Sequence, residues 1–96
     1  MIVDSFESFQ AAIKKKKILQ KYGLKNIGVF GSFARGENAR DIDIYLDIDT
    51  YEISSILRLK EDLEKISHKE IDLVLKKYAN PIILHRAQKD MRFVTE

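Results

Sequence analysis

The sequence predicts a small mixed β-sheet of three to four strands with helices packed on one side, an α/β (α+β) arrangement. Three observations carry that expectation: strict period-two alternation from Asp41 to Asp47, a second alternating run from Glu70 to Leu75, and an amphipathic helical stretch between them. A whole helix between two strands implies a parallel, right-handed crossover. Residues 31–40, between the first strand and the second, are too few for such a crossover, which takes about a dozen residues, so those two strands are expected to run antiparallel.

In chain order, Asp4 with Glu7 reads as the capped start of one helix over residues 5–22. Phe6, Phe9 and Ile13 form its apolar stripe and Gly23 its stop. Ile27, Val29 and Phe30 make a short β-type run that ends on Gly31-Ser32, where a small residue and an N-capping hydroxyl open a helix. Along 41–47, Ile42, Ile44 and Leu46 face one way and Asp41, Asp43, Tyr45 and Asp47 the other. Residues 51–67 set Ile53, Ile56, Leu57, Leu63 and Ile66 at helical spacing, and Ile71, Leu73 and Leu75 are the inward residues of the next strand. Asn80-Pro81 matches an N-cap followed by proline, which predicts a short helix over 81–89, and residues 91–96 supply a final edge strand.

Ninety-six residues support one domain, since two cores would each fall near the length at which a chain struggles to stabilise itself. Hydrophobic residues at 45% and charged residues at 33% describe a globular chain, and no apolar run approaches the ~20 residues of a membrane span. The first ten residues carry acids where a secretory leader carries bases, so a cytoplasmic setting is expected. With no cysteine, thiolate metal sites and cysteine nucleophiles are excluded, and any metal must be held by oxygen or histidine. Seventeen basic against fifteen acidic residues leave a charge of +2, too balanced to advertise nucleic-acid binding. Lys14 to Lys17 sweep around a helical turn and read as a solvated surface able to help dock an acidic partner. His68 and His85 have no second ligand at metal spacing, and Asp47 and Asp49 read as a solvated strand end.

Candidate chemistry gathers elsewhere. Asp41 and Asp43, two apart on a strand, project from one face and can converge on a hard cation, Mg²⁺ or Mn²⁺ in a chain of oxygen donors. Asp72 on the third strand reaches the same face if the two strands are neighbours. Gly31-Ser32 lets backbone approach a ligand closely and offers the free N–H groups of a helix start to phosphate. Each piece alone is ordinary. Together, a strand, the Gly-Ser turn, a short loop and the Asp41/Asp43 strand within one short stretch of chain suit delivery of a metal-bound triphosphate.

Gly31-Ser32-Phe33-Ala34-Arg35-Gly36 followed by Asp41-Ile42-Asp43-Ile44 resembles the signature of the DNA polymerase β-type nucleotidyltransferases, in particular the minimal nucleotidyltransferases that act as antitoxins beside HEPN-domain toxins. The resemblance implies the palm core of that superfamily. It also implies Asp41, Asp43 and Asp72 as metal ligands, with Asp72 activating the attacking hydroxyl, and Gly31, Ser32 and Arg35 as the nucleotide-binding residues. ATP is then the substrate, and AMP passes to a hydroxyl, tyrosine foremost, of a partner HEPN toxin. A chain of this length has nothing left to build a lid or a base-reading subdomain, which points to an acceptor protein that completes the site, with the exposed last helix the first surface to examine.

The chain departs from that pattern between Gly36 and Asp41, where Glu37, Asn38, Ala39 and Arg40 make a loop shorter by about two residues than is common in the family. Arg40 stands where a serine often precedes the first aspartate, and it either pairs with Asp41 or helps neutralise the triphosphate. The competing reading is therefore an antitoxin whose site has degraded and which neutralises its toxin by binding alone.

Overall fold

The computed structural model describes residues 2–95. In chain order the elements are α1 (Phe6–Lys15), α2 (Ile18–Tyr22), β1 (Asn26–Phe30), α3 (Gly31–Ala34), β2 (Asp41–Leu46), α4 (Ile53–Ser67) and β3 (Glu70–Leu75). A 3₁₀ turn (Lys76–Tyr78), α5 (Pro81–Gln88) and β4 (Arg92–Thr95) complete the chain. The strands form one sheet in the order β3-β2-β1-β4, with β1 antiparallel to both β2 and β4, and β2 parallel to β3. Both strand directions inferred from connection lengths hold, and the closing edge strand is present.

The first helix differs from expectation at both its start and its middle. Its N-cap is Ser5: the Ser8 N–H donates to Ser5 Oγ at 3.2 Å, and the Ser5 N–H donates to Ser8 Oγ at 3.0 Å. The reciprocal pair thus uses two serines rather than Asp4 and Glu7, while Asp4 accepts from the Ser8 hydroxyl. The expected single helix over 5–22 is two helices, broken at Lys17, which sits in the left-handed region at φ 52. Phase explains the break. Continuing the stripe of Phe9 and Ile13 at 3.6 residues per turn would turn Lys16, Lys17 and Gln20 toward the core. One left-handed residue, at a cost of about 1–2 kcal/mol, resets the phase so that Ile18 and Leu19 are buried instead. Gly23, also left-handed, ends α2 as expected, and the Leu24 N–H returns to the Leu19 carbonyl at 2.8 Å.

One contiguous cluster joins the helical layer to the inner sheet face. Phe9 and Ile13 of α1, Leu59 and Leu63 of α4, and Ile27, Val29, Ile42, Ile44, Leu46, Ile71 and Val94 of the sheet are its most deeply buried members. Phe9 meets Phe33 edge to face at 5.9 Å. Within α4 the inward stripe is Ile56, Leu59, Leu63 and Ile66, so Leu59 takes the place assigned to Leu57, and both Ile53 and Leu57 are exposed. Leu73 and Leu75 are only half-buried because β3 is an edge strand.

The opposite face has its own small apolar contact. Gly28 leaves no room for a side chain, with Met91 Sδ at 3.0 Å, Phe93 Cε1 at 3.1 Å and Tyr45 Cβ at 3.3 Å from where a Cβ would stand. Tyr45 is consequently buried and fills the sheet rather than offering a stacking surface. In α5, Asn80 caps the Ile82 N–H at 2.9 Å, Ala87 is the one buried residue, and Ile82 and Ile83 face solvent.

Candidate active site

The parallel register of β2 and β3 aligns Asp43 directly with Asp72 and Asp41 with Glu70. Because paired residues of a parallel ladder share a face, four carboxylates project from the side of the sheet away from the main core. Asp41, Asp43 and Asp72 are thus brought to one face. Glu70 joins them, and the sequence reading missed it even though its alternation with Asp72 was visible. Asp41 and Asp72 are exposed, whereas Asp43, between them and flanked by Phe30 of β1, is half-buried.

Gly31 stands against the Asp43 carboxylate. Its φ of 76 lies in the region open to glycine, and a Cβ there would collide with Asp43 Oδ2. The Gly31-Ser32 turn therefore abuts the acidic face. The helix it opens is a single turn of four residues, so it offers first-turn N–H groups and no long macrodipole.

Charge accumulates at the centre. Burial first, then the negative charges of Asp72 and Asp41, hold the Asp43 carboxyl above the ordinary carboxylate range, while Arg35 pulls it the other way. Arg35 itself donates from Nε to Glu37 at 2.6 Å and from Nη1 to Asp90 at 2.8 Å, which ties α3 to the segment after α5. Arg40 is exposed and makes no ion pair, with Asp41 or any other acid, among the described residues.

Lys69 is a second residue that sequence reasoning did not single out. Its Nζ donates to the Ala39 carbonyl at 2.8 Å and lies 6.0 Å from the Phe33 ring centroid. One ammonium thus links α3, the short loop before Asp41 and the entry to β3. Nothing in its spacing marks it, because the contact spans 30 residues. His68 ends α4 through its backbone N–H to the Glu64 carbonyl at 2.8 Å, and Asp47 pairs with Lys76 at 3.1 Å, both structural roles.

Among the described residues, no three metal-ligating side chains are drawn tightly enough to enclose an ion in this arrangement. The donor set nonetheless suits a hard dication: Asp41, Asp43, Asp72 and Glu70 share a face, and Asp43 is disfavoured in its charged form by burial and by Asp72 and Asp41, a penalty that a dication would cancel.

A mixed sheet that presents carboxylates from neighbouring strands beside a glycine-serine turn defines a nucleotide-handling palm. The family described as Polymerase beta, Nucleotidyltransferase matches residues 14–96, and the chain belongs to it. The chain is a nucleotidyltransferase. It is 38% identical to the protein adenylyltransferase MntA of Thermococcus cleftensis, over 79% of each chain. Among solved structures, a toxin-antitoxin with AMP-PNP superposes with a TM-score of 0.68 at 25% identity, covering 86% of this chain and 71% of that one. A complex of a tri-AMPylated Shewanella oneidensis HEPN toxin with its MNT antitoxin shares the fold, with a TM-score of 0.65 at 23% identity and coverage of 90% and 71%. Among the described residues, no helix is long and apolar enough to cross a membrane.

Proposed function

We propose that this chain is the antitoxin of a toxin-antitoxin pair and transfers AMP from ATP to a tyrosine hydroxyl of a partner HEPN toxin. The observation that carries the reading is the register of Asp43 opposite Asp72, with Gly31 packed on Asp43. The adenylyltransferase name of a 38% identical relative supports the adenylyl group, and the AMP-PNP complex of a structural neighbour supports ATP as its donor. The AMPylated HEPN toxin of another neighbour supports the acceptor.

In this reading Asp41, Asp43 and Asp72 hold Mg²⁺ or Mn²⁺, which supplies Lewis-acid stabilisation of phosphate charge when bound. The N–H groups at Gly31 and Ser32 bind the β and γ phosphates, and Arg35 contributes positive charge at the same end. Asp72 takes the proton of the acceptor hydroxyl as its oxygen bonds to the α-phosphorus. The bond from that phosphorus to the oxygen bridging toward the β-phosphate breaks, and pyrophosphate leaves with the electron pair. Exposed Ile82 and Ile83 on α5 give the partner an apolar foothold. The reading carries a cytoplasmic setting with it, where ATP is available.

The test is incubation with labelled ATP, Mg²⁺ and the partner toxin. The wild-type chain labels the toxin, and Asp41→Asn with Asp43→Asn abolishes labelling while complex formation persists. Labelling that survives the double substitution overturns the assigned chemistry, and binding without any labelling by wild type selects neutralisation by contact alone.

A further inference from the structure

The helical layer, on the face of the sheet away from the carboxylates, carries a cavity of about 520 Å³ between α1, α2 and α4. Lys15, Lys16, Lys21 and Lys65 line it, with Asp62 as the single acid. That lining has three net positive charges, more than the +2 of the whole chain. Lys21 is pre-positioned, because Asp62 accepts from its Nζ at 2.8 Å and from the Tyr22 hydroxyl at 2.5 Å. Lys15, Lys16 and Lys65 have no ion-pair partner among the described residues.

Backbone strain contributes to this gathering. In one unbroken helix the lysine run would wind around the axis. The left-handed turn at Lys17 instead folds α2 back against α4, so that Lys15 and Lys16 share a hollow with Lys21 and Lys65. Ala12, Ile18 and Ile66 complete the lining with apolar surface, the first two of them buried. The volume lies in the range of small-ligand pockets, and a lining both cationic and apolar matches a flat base attached to a phosphate chain. A nucleic-acid backbone asks instead for an extended stripe of charge.

We propose that this cavity is a second, metal-independent site for the polyphosphate of a nucleotide, separate from the carboxylate face. Lys15, Lys16 and Lys65 neutralise the phosphates in place of a dication, with Lys21 held beside them by Asp62, and the apolar lining seats the base. Binding is therefore independent of divalent ions and weakens with salt.

The test is calorimetric titration of the full chain in EDTA at low ionic strength, with ATP, AMP, inorganic tripolyphosphate and a short single-stranded RNA as probes. ATP is expected to bind saturably and more tightly than AMP or tripolyphosphate. Lys16→Gln with Lys65→Gln should weaken ATP binding roughly five- to twentyfold, as the loss of two exposed charge contacts predicts. Asp41→Asn with Asp43→Asn should leave it unchanged. Because the lysines are exposed, an unaltered thermal melt separates lost binding from lost fold. Equal ATP binding by the lysine variant overturns the site, as does binding that vanishes in EDTA or in the aspartate variant. Tripolyphosphate binding at least as tightly as ATP removes the nucleoside from the assignment. RNA binding that depends on the lysines and exceeds that of ATP reassigns the cavity to nucleic acid. Labelling of a partner is read separately, so either idea can fail without the other.

Discussion

Gly31 and Asp43 occupy mutually exclusive space: the carboxylate of Asp43 lies where any side chain on residue 31 would begin. The Gly31-Ser32 turn and the central acid are therefore one packing unit, and each constrains the other.

Replacing Gly31 by alanine should cost about 1–2 kcal/mol for the left-handed backbone alone, with the displacement of Asp43 added to it. Gly36→Ala is the control. Gly36 is also left-handed, at φ 85, but nothing lies within 4 Å of a Cβ there. Thermal melts and kcat/KM for AMP transfer distinguish the two: both variants lose stability, and only Gly31→Ala loses transfer as well.

Asp43→Asn should make the metal-free chain more stable and the enzyme inactive. A carboxyl held above its ordinary range binds a proton more readily folded than unfolded. The native state therefore loses stability as pH rises through the window between the ordinary and the raised value, and regains it as pH falls. Asparagine removes that penalty. At neutral pH the Tm of the metal-free variant should therefore rise above that of wild type. Transfer should fall by about three orders of magnitude or more, as expected when several kcal/mol of charge stabilisation are lost. A variant that melts below wild type without metal would contradict the repulsion.

Asp62 shows the opposite sign. Hydrogen bonds from Lys21 and then Tyr22 hold its carboxyl below the ordinary range. Its contribution is therefore complete above the ordinary carboxylate value and disappears as pH falls through the lowered one. Asp62→Asn should shift the urea midpoint at pH 7 by an amount corresponding to roughly 0.5–1.5 kcal/mol, and the gap to wild type should close in acid. Toxin labelling should be unchanged.

Lys69→Met should leave the fold intact yet slow transfer roughly 10–100-fold, the range expected when a catalytic group shifts by an ångström or less. The ammonium holds the carbonyl of Ala39, two residues before Asp41. Partial recovery in Lys69→Arg, with KM for ATP moving less than kcat, identifies positioning as the role. Unchanged kinetics would mean the loop keeps its shape without this anchor.

How much of this was legible in sequence depended on period. The alternation in 41–47 and 70–75 fixes which face each residue takes, since a one-residue slip turns every aspartate toward the core, so a shared face for Asp41, Asp43 and Asp72 could be anticipated, whereas the direct pairing of Asp43 with Asp72 could not. Helical phase is more forgiving. Leu57 and Leu59 both lie near a plausible stripe, and only packing against α1 and the sheet selects Leu59. Lysine favours helix, so four in a row masked the break at Lys17, which exists for the burial of Ile18 and Leu19. The Lys69–Ala39 and Arg35–Asp90 contacts span 30 and 55 residues and have no local signature. That Asp41, Asp43 and Asp72 share a face was readable because strand period fixes it, and the supporting contacts were not because they are tertiary.

The sheet order leaves β3, the strand bearing Asp72, with a neighbour on one flank only. Its outer border has no further strand to act as a fence. Under the proposed transfer, that open border is a lateral doorway through which a protein acceptor would bring its hydroxyl to Asp72, a route that an interior strand would have closed.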